Sequence, residues 1–315
     1  MQDSYGRNIN YLRLSITDSC NYRCVYCMDS DDAKKRKCRD ILSIEELINI
    51  GKAAVNCGID KIRITGGEPL LRKDILSLCE GLRAINGLEE LAITTNGARL
   101  SEMAKDLRAA GVDRLNISLD TLKEERFKEI TRTGSLDEVL KGIEASVNAG
   151  FTNTKINVVL MAGINDDEIE DFVNLTRNNP VSIRFIEFMP IGPYKDRYDE
   201  RFISTNAVLE KVPELITVNR DGVANTYTLE NAMGTVGLIS PISNCFCEEC
   251  NRLRVTADGR LLPCLHSDIS YDIKGLANKE LKEAICLAIK NKPASHHIVE
   301  NHISDNSDYM NKIGG

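Results

Sequence analysis

SCNYRCVYC, at residues 19–27, is the part of this sequence from which its fold follows. It holds three cysteines, spaced by three and then two residues, directly after the strand-like residues 11–17: Cys20, Cys24 and Cys27. Three thiolates from one short loop can hold three irons of a cubane iron–sulfur cluster, so one iron is left open to a small molecule. The alternative is a structural zinc knot. It fits poorly, because zinc wants four ligands and the charged run that follows supplies only Cys38 as a distant fourth.

This cysteine spacing, with an aromatic residue before the last cysteine, resembles the radical S-adenosylmethionine superfamily. The resemblance implies that S-adenosylmethionine chelates the open iron through its amino and carboxylate groups. The glycine-rich ITGGEPLL, at residues 64–71, follows the second predicted strand and resembles the superfamily motif that meets the cofactor amino group. Glycine lets backbone approach a ligand closely. Gly67 and the backbone of Tyr26 are therefore predicted cofactor contacts.

Composition limits the class of protein. The chain has 315 residues, of which 42% are hydrophobic, enough for one barrel-sized domain and a smaller one. It has no apolar run long enough to span a membrane, and its N-terminus is not typical of a secretory signal. Six of its eleven cysteines fall into two metal-spaced groups, which favours a reducing cytoplasmic location. The net charge of −7 argues against a nucleic-acid binder.

The first part of the chain predicts an α/β fold. Six short β-branched runs alternate with amphipathic segments, and Ser43 with Glu46 forms a capping-box pattern before the first helix. Such alternation predicts a parallel sheet with right-handed crossovers. Six units are too few for a closed eight-stranded barrel, so we expect an open, partial βα barrel over residues 1–190. The predicted strands are residues 11–17, 61–65, 91–94, 114–118, 154–160 and 182–188.

Residues 191–315 predict a smaller C-terminal α+β module. The pattern changes to short strands at residues 216–218, 226–230 and 235–239, then to a hairpin around Asp258-Gly259, and then to a helix at residues 279–290. All four histidines lie in this half, and none has a metal-ligand spacing: His266, His296, His297 and His302. The chain ends in Gly314-Gly315.

The module contains a second cysteine group, in FCEECNRLRVTADGRLLPCL at residues 246–265. Two residues separate Cys247 from Cys250, and thirteen separate Cys250 from Cys264. On this segment alone, a structural zinc site that includes Cys245 is an equally good interpretation. Together with the first cysteine loop, the segment resembles the GTP 3′,8-cyclase family of molybdenum cofactor biosynthesis, over nearly the whole chain.

This resemblance implies a second 4Fe-4S cluster on Cys247, Cys250 and Cys264, with one iron open to the guanine of GTP. It implies further cofactor contacts from Ser118 and Met189, for which strand-end packing is the alternative. The family also ends in two glycines that reach the active site. Cys245 is not part of the family pattern, and Met28-Asp29-Ser30 stands where many members carry Met-Pro.

Basic residues complete the pattern. Several lie on strands that are otherwise apolar, which suggests convergence on a polyanion. The resemblance implies substrate binding, chiefly of the triphosphate, by Arg13, Arg63, Thr94, Lys155, Arg252, Leu253 and Arg254. Lys61 and Arg184 are weaker members that we leave outside the prediction. The predicted catalytic residues are Arg252, Arg254, Gly314 and Gly315.

The implied function is that of a radical S-adenosylmethionine lyase. It converts GTP to (8S)-3′,8-cyclo-7,8-dihydroguanosine 5′-triphosphate by removing the C3′ hydrogen and joining C3′ to C8. The implied partners are a reductant such as flavodoxin or ferredoxin and the downstream cyclic pyranopterin monophosphate synthase, with no nucleic acid and no membrane. The chain is expected to be a monomer or homodimer. Two alternatives remain: a radical enzyme acting on a peptide or another nucleotide, and a zinc-stabilised binding module.

Overall fold

The computed structural model describes residues 1–28, 41–296, 298 and 304–314. Its first half contains six strands that pair in parallel, each with the next along the chain. Their bounds lie within two residues of the predicted ones. The strands are β1 Tyr11–Ser15, β2 Lys61–Thr65, β3 Glu90–Thr95, β4 Arg114–Ser118, β5 Thr154–Leu160 and β6 Val181–Glu187.

Helices connect these strands. They are α1 Ile44–Asn56, α2 Ile75–Arg83, α3 Leu100–Ala109, α4 Glu124–Thr131, α5 Leu136–Asn148 and α6 Ile169–Asn178. The predicted capping box is present, because the Ser43 side chain accepts from the Glu46 backbone N–H and the Glu46 carboxylate accepts from that of Ser43. It satisfies backbone donors that the first turn of α1 would otherwise leave free.

The second half supplies shorter elements. The helices are α7 Tyr198–Arg201, α8 Asn206–Lys211, α9 Asn278–Lys290 and α10 Met310–Ile313. The strands are β7 Ile216–Thr217, β8 Asn225–Thr228, β9 Thr235–Ile239, β10 Arg252–Val255, β11 Arg260–Leu262 and β12 Tyr271–Asp272.

All twelve strands of the described residues join one open sheet, in the order β12-β11-β10-β1-β2-β3-β4-β5-β6-β9-β8-β7. The predicted open barrel and C-terminal module are both confirmed. The module does not build a separate sheet, however: β10 pairs in parallel with β1, and β9 pairs in parallel with β6. The C-terminal strands therefore extend both edges of the barrel sheet, and β10 begins two positions after Cys250 of the second cysteine group.

The two faces of the barrel sheet differ in polarity. On the outer face, residues such as Leu12, Leu14, Ile62 and Ile64 are at most 2% exposed and belong to the main hydrophobic core, which also contains the buried faces of the helices. Burial of each such side chain contributes roughly 1.5–3 kcal/mol. The residues between them face inward and are mostly polar. Within the described part of the chain, no helix has the length and apolar character needed to cross a bilayer.

Candidate active site

A cavity of about 570 Å³ lies on the inner face of the sheet, and residues from both cysteine groups line it. Parallel strands in register bring alternate side chains into rows across this face. Arg13 on β1 is paired with Arg254 on one side and Arg63 on the other. Asn116 is paired with Thr94 and Lys155 in the same way. The even-odd alternation of each strand thus creates the polar interior.

The first cysteine loop follows β1 and is fixed by the glycine-rich segment and by the end of α4. The backbone N–H of Gly67 donates to the Thr17 carbonyl at 2.7 Å, and that of Val25 donates to the Ile130 carbonyl at 2.9 Å. The three thiols of this loop line the cavity. Burial raises the pKa of Cys20 to about 11 and that of Cys27 to about 12. Burial likewise raises the pKa of Cys24, and the neighbouring Cys27 adds to that effect.

The glycine-rich segment packs directly on this loop. A Cβ atom at Gly67 would lie 2.3 Å from the carbonyl oxygen of Ser19, so no other residue fits there without moving the cysteine loop. Glu68 is buried and accepts hydrogen bonds from the Leu70 N–H at 2.9 Å and the Asn96 N–H at 2.7 Å. Its burial raises its pKa to about 7. The segment therefore braces the cysteine loop against the end of β3.

The other predicted cofactor contacts also lie at this end of the sheet. Tyr26, Ser118 and Met189 line the cavity. The Tyr26 hydroxyl donates to the Asp120 carboxylate at 2.5 Å, and that carboxylate accepts from the Val159 N–H at 2.8 Å. Burial raises the pKa of Asp120 to about 6. Sequence reasoning did not find Asp120, which anchors the last turn of the cysteine loop to β5.

The second cysteine group lines the same cavity and has a different charge environment. Cys250 follows a short turn in which its N–H donates to the Cys247 carbonyl at 3.1 Å. Burial alone would raise the pKa of Cys250, but the positive charges of Arg252 and Lys292 lower it to about 6. Burial raises the pKa of Cys264. Lys292, 3% exposed, is tied in place by the Arg252 and Pro263 carbonyls at 2.9 and 2.6 Å.

The arginines of the inner face lie close together: Arg254 is buried, and Arg13, Arg63 and Arg252 are half-buried. Burial lowers the pKa of Arg13, and the nearby charges of Arg254 and Arg63 lower it further. Both the Arg63 Nε and the Thr94 hydroxyl are buried and have no hydrogen-bond partner among the residues that the structure describes. Buried charges are costly unless an anion compensates them. The arrangement is therefore ready to receive a polyanion.

Two further cations of the cavity share one carboxylate. Lys155 Nζ and Arg184 Nη2 each lie 2.5 Å from the same oxygen of Asp221. The Lys155 side chain is 1% exposed and that of Arg184 is 8% exposed. Burial and the nearby charge of Arg184 lower the pKa of Lys155 to about 7. Arg184, which the sequence prediction left out, therefore lines the site.

The C-terminal segment reaches Arg254 on the inner face of the sheet. Arg254 donates from Nη1 to the Gly314 carbonyl at 2.6 Å. Gly314 has a positive φ of 71°, and a Cβ there would lie 2.7 Å from the Thr65 hydroxyl. Ile313 anchors the segment in a small apolar cluster with Ile191 and Leu262. The predicted catalytic residue Gly315 lies outside the described residues.

One predicted substrate residue is not brought to the cavity. Leu253 is fully buried in the main core beside Leu12, because it alternates along β10 with Arg252 and Arg254, which face inward. Of the predicted substrate-lining segment, the structure therefore brings the side chains of Arg252 and Arg254 to the cavity, but not that of Leu253. Any substrate contact from this residue would come from its backbone.

Comparisons with known proteins agree with this geometry. The family model for the Radical SAM superfamily matches residues 14–176, and that for Molybdenum Cofactor Synthesis C matches residues 181–298. A GTP 3′,8-cyclase of Peptoclostridium acidaminophilum is 49% identical over 319 aligned positions, which cover 99% of this chain and 98% of that protein. One of Clostridium botulinum (strain Langeland / NCTC 10281 / Type F) is 46% identical, with all of both chains covered. This chain belongs to the GTP 3′,8-cyclase family.

Solved structures support the fold. Streptococcus suis SuiB, in a crystal structure bound to S-adenosylmethionine, has a TM-score of 0.60 at 15% identity, with 90% of this chain and 68% of that one covered. Native anSMEcpe, with bound AdoMet and a Cp18Cys peptide, has a TM-score of 0.55 at 18% identity, with 90% and 84% covered. At these identities the likeness concerns the fold alone.

The residues of this GTP 3′,8-cyclase family member fit iron–sulfur clusters. Each cysteine group offers three free thiols to one cavity, and thiolates are the ligands that such clusters take. Gly67 packs closely on the cysteine loop, as the approach of backbone to a ligand site requires. The buried polar atoms of Arg63 and Thr94 that lack partners among the described residues can bond to a ligand in the cavity.

Sequence reasoning missed several lining residues of this family member. They are Arg114, Asn116, Asn157, Asp221 and Lys292; Lys61 and Arg184, named as weaker members of the basic set, also line the cavity. Strand alternation could have identified the strand residues among them. Each lies two or four positions from a predicted residue on its own strand, or in the same cross-strand row, and so faces the same side of the sheet. Asp221 and Lys292 lie in loops, which have no regular side-chain periodicity from which their positions could be predicted.

Proposed function

We propose that this chain is a radical S-adenosylmethionine lyase that converts GTP to (8S)-3′,8-cyclo-7,8-dihydroguanosine 5′-triphosphate, an early step of molybdenum cofactor biosynthesis. The observation that carries the proposal is one cavity lined by two three-cysteine groups and a row of buried and half-buried cations. The full-length identity to proteins named GTP 3′,8-cyclase supports the same reaction.

The enzyme uses two 4Fe-4S clusters and S-adenosylmethionine. When bound, these cofactors supply an electron and a hydrogen-abstracting radical, which is chemistry that no side chain can provide. The first cluster is assigned to Cys20, Cys24 and Cys27, and the second to Cys247, Cys250 and Cys264. S-adenosylmethionine is assigned to Tyr26, Gly67, Ser118 and Met189. The contacts of Tyr26 with Asp120 and of Gly67 with Thr17 support these assignments, because they fix the loop that must meet the cofactor.

The cations of the inner face would bind the GTP triphosphate. We assign this role to Arg13, Arg63, Thr94, Lys155, Arg252 and Arg254. Their burial strengthens each charge-assisted hydrogen bond to phosphate, since little water competes. The arginines also fix orientation through paired N–H groups. Correct placement of the ribose against the radical source can be worth roughly 7–11 kcal/mol of barrier.

The proposed catalytic role of Arg252 and Arg254 is to hold the reacting nucleotide between the two cysteine groups. Arg252 lies beside Cys250, whose pKa it lowers, and Arg254 holds the Gly314 carbonyl. The tail, Gly314 with Gly315, would position Arg254 and close the cavity against water.

Several further assignments complete the proposal. The electron donor would be a small reductant protein such as flavodoxin or ferredoxin, and the product would pass to cyclic pyranopterin monophosphate synthase. The enzyme would act in the cytoplasm as a monomer or homodimer. We place the domain boundary at residue 190, after β6.

Anaerobic incubation of reconstituted enzyme with GTP, S-adenosylmethionine and a reductant tests the proposal. We expect a cyclised nucleotide that retains the triphosphate, and about eight irons per chain. Cleavage of S-adenosylmethionine without that product would indicate a peptide or another nucleotide as substrate. An absence of iron and acid-labile sulfide after anaerobic purification and reconstitution would indicate the zinc-stabilised module.

A further inference from the structure

Three metal-binding atoms converge at the edge of the second cysteine group. Cys245 Sγ lies 3.2 Å from Cys247 Sγ and 3.6 Å from His296 Nε2, and all three donor atoms lie within 4.8 Å of one another. Cys245 is exposed, so an ion in solvent can reach it. No spacing in the sequence revealed this set, because His296 lies 51 positions after Cys245.

These distances suit one ion rather than one cluster. Zinc–sulfur bonds of about 2.3 Å and zinc–nitrogen bonds of about 2.0 Å place the ligands of a tetrahedral ion roughly 3.5–3.8 Å apart. In a cubane each thiolate binds a different iron, so the ligand sulfurs stand farther apart than two ligands of the same ion. Cys245 and Cys247 are closer than that, and an imidazole completes a thiolate-rich set typical of zinc.

We propose that Cys245, Cys247 and His296 form a mononuclear site for a soft divalent ion such as Zn²⁺, which competes with assembly of the second cluster because both need Cys247. The competition rests on the proposed function only in assigning Cys247 to that cluster. Binding releases the two thiol protons. It also requires that the neutral His296 ring carry its proton on Nδ1, so that Nε2 gives up its hydrogen bond to the Pro241 carbonyl at 3.2 Å and binds the ion. Water fills the fourth position. A chain that holds zinc here cannot complete its second cluster.

Cobalt titration of the cluster-free, full-length protein tests the site. We expect tetrahedral Co²⁺ bands with thiolate charge transfer, and Cys245→Ala should weaken this binding by about 100-fold, as the loss of one of a few strong ligands predicts. The matched control is Cys286→Ala, on α9 and beside Cys57 rather than in the cavity. Equal affinity of wild type and Cys245→Ala would overturn the site, as would the absence of a thiolate–cobalt band in wild type.

Reconstitution in the presence of Zn²⁺ tests the competition separately. Wild type should lose about four of its eight irons, whereas Cys245→Ala should resist this loss. If zinc lowers the iron content of both proteins equally, the competition is excluded. Neither measurement involves GTP, so a failure of the proposed function would appear in the GTP assay alone.

A second, independent inference concerns Asp221. This residue lies in the tight turn between β7 and β8, closed by two backbone hydrogen bonds between Asp221 and Ala224 at 3.1 and 3.2 Å. One oxygen of its carboxylate accepts from both Lys155 and Arg184. Its side chain is 47% exposed, whereas the two cations are buried. The carboxylate of Asp221, in a solvent-accessible turn, thus lies against two buried cations.

We infer that Asp221 occupies a phosphate position and competes with the substrate for Lys155 and Arg184. This rests on the assignment of the cavity to a nucleoside triphosphate. A triphosphate carries enough charge to displace one carboxylate, whereas an uncharged nucleoside does not. Asp221 would therefore set the affinity of the site and favour polyphosphates over nucleosides.

Calorimetric titration of GTP and guanosine, without reductant, tests this role. Asp221→Asn should bind GTP about tenfold more tightly, as removal of a competing charged hydrogen-bond partner predicts, and should leave guanosine binding unchanged. Glu230→Gln, an exposed acid just beyond β8, is the matched control. Asp221→Ala, whose folding is checked by thermal melting, is a second variant in case Asp221→Asn misfolds.

Unchanged or weaker GTP binding in both Asp221 variants would overturn the inference, and weaker binding would make Asp221 a residue that orients the cations. If GTP does not bind wild type either, the proposed function itself fails.

Discussion

The two cysteine groups line one cavity but differ in what surrounds their thiols. The first group is buried in a loop beside the acidic residues Glu68 and Asp120, and the pKa of each of its thiols is raised. The second group lies beside Arg252 and Lys292, which lower the pKa of Cys250 to about 6. Acidic residues thus lie beside the first group, and basic residues lie beside the second.

This difference indicates a division of roles. A loop with the carboxyl groups of Glu68 and Asp120 beside its thiols suits a cluster that meets a positively charged sulfonium cofactor, because negative charge attracts it. An electropositive group among buried and half-buried arginines suits an anionic nucleotide. The comparison therefore predicts that damage to each region has a distinct signature.

The largest effect is expected from Cys24→Ser in the first group. Loss of this ligand should abolish both the cleavage of S-adenosylmethionine and the cyclisation of GTP, since both depend on the first cluster. Iron content should fall from about eight to about four per chain. Product analysis and iron determination check this, and retained cleavage of S-adenosylmethionine would break the assignment of roles.

Arg254→Ala in the second region should affect GTP much more than S-adenosylmethionine. Loss of a buried charged hydrogen-bond donor costs about 1.5–3 kcal/mol, or roughly a 10- to 150-fold weaker affinity for GTP. Separate binding titrations of the two ligands measure this. Arg260→Ala is a suitable control, because Arg260 pairs with Asp258 and Asp308. Equal losses for both ligands would contradict the assignment.

Deletion of Gly314 and Gly315 should reduce GTP turnover by about tenfold while both clusters remain intact. The deletion removes the carbonyl that holds Arg254 at 2.6 Å, a hydrogen bond to a charged group. Turnover and iron content of the truncated protein are the measurements. Full turnover would show that the tail does not position Arg254.

Near neutral pH, the smallest effect is expected from the titration of Lys155. Burial lowers the pKa of Lys155 to about 7, so its ammonium form is lost as the pH rises through 7. Because GTP binds the charged form, its affinity should fall by up to about tenfold per unit above pH 7. Titrations from pH 6 to 9 check the slope, and Lys155→Arg, which stays charged, should flatten it. An equal slope in both proteins would exclude Lys155 as its source.

Much of the fold could be predicted from the sequence, since the six barrel strands have short, regular hydrophobic runs with sharp ends. The capping box at Ser43 was equally clear. The attachment of β10 to β1 and of β9 to β6 could not be predicted, because edge pairing depends on backbone groups that every strand offers.

The site was predictable where spacing or alternation carries the information. All six cluster cysteines and the arginines of β1, β2 and β10 line the cavity as expected. The same alternation, applied to β10, would have turned Leu253 away from it. Asp221 and His296 reach the site from loops, where only the folded chain brings them to Lys155 and Cys245.

The central claim is that the first cysteine group generates the radical and the second holds the substrate. Cys247→Ser tests it most directly, with S-adenosylmethionine cleavage and cyclised GTP measured in the same anaerobic reaction. The account predicts that reductive cleavage continues while the cyclised product falls to background. Unchanged formation of the cyclised product, or loss of cleavage together with it, would contradict the account.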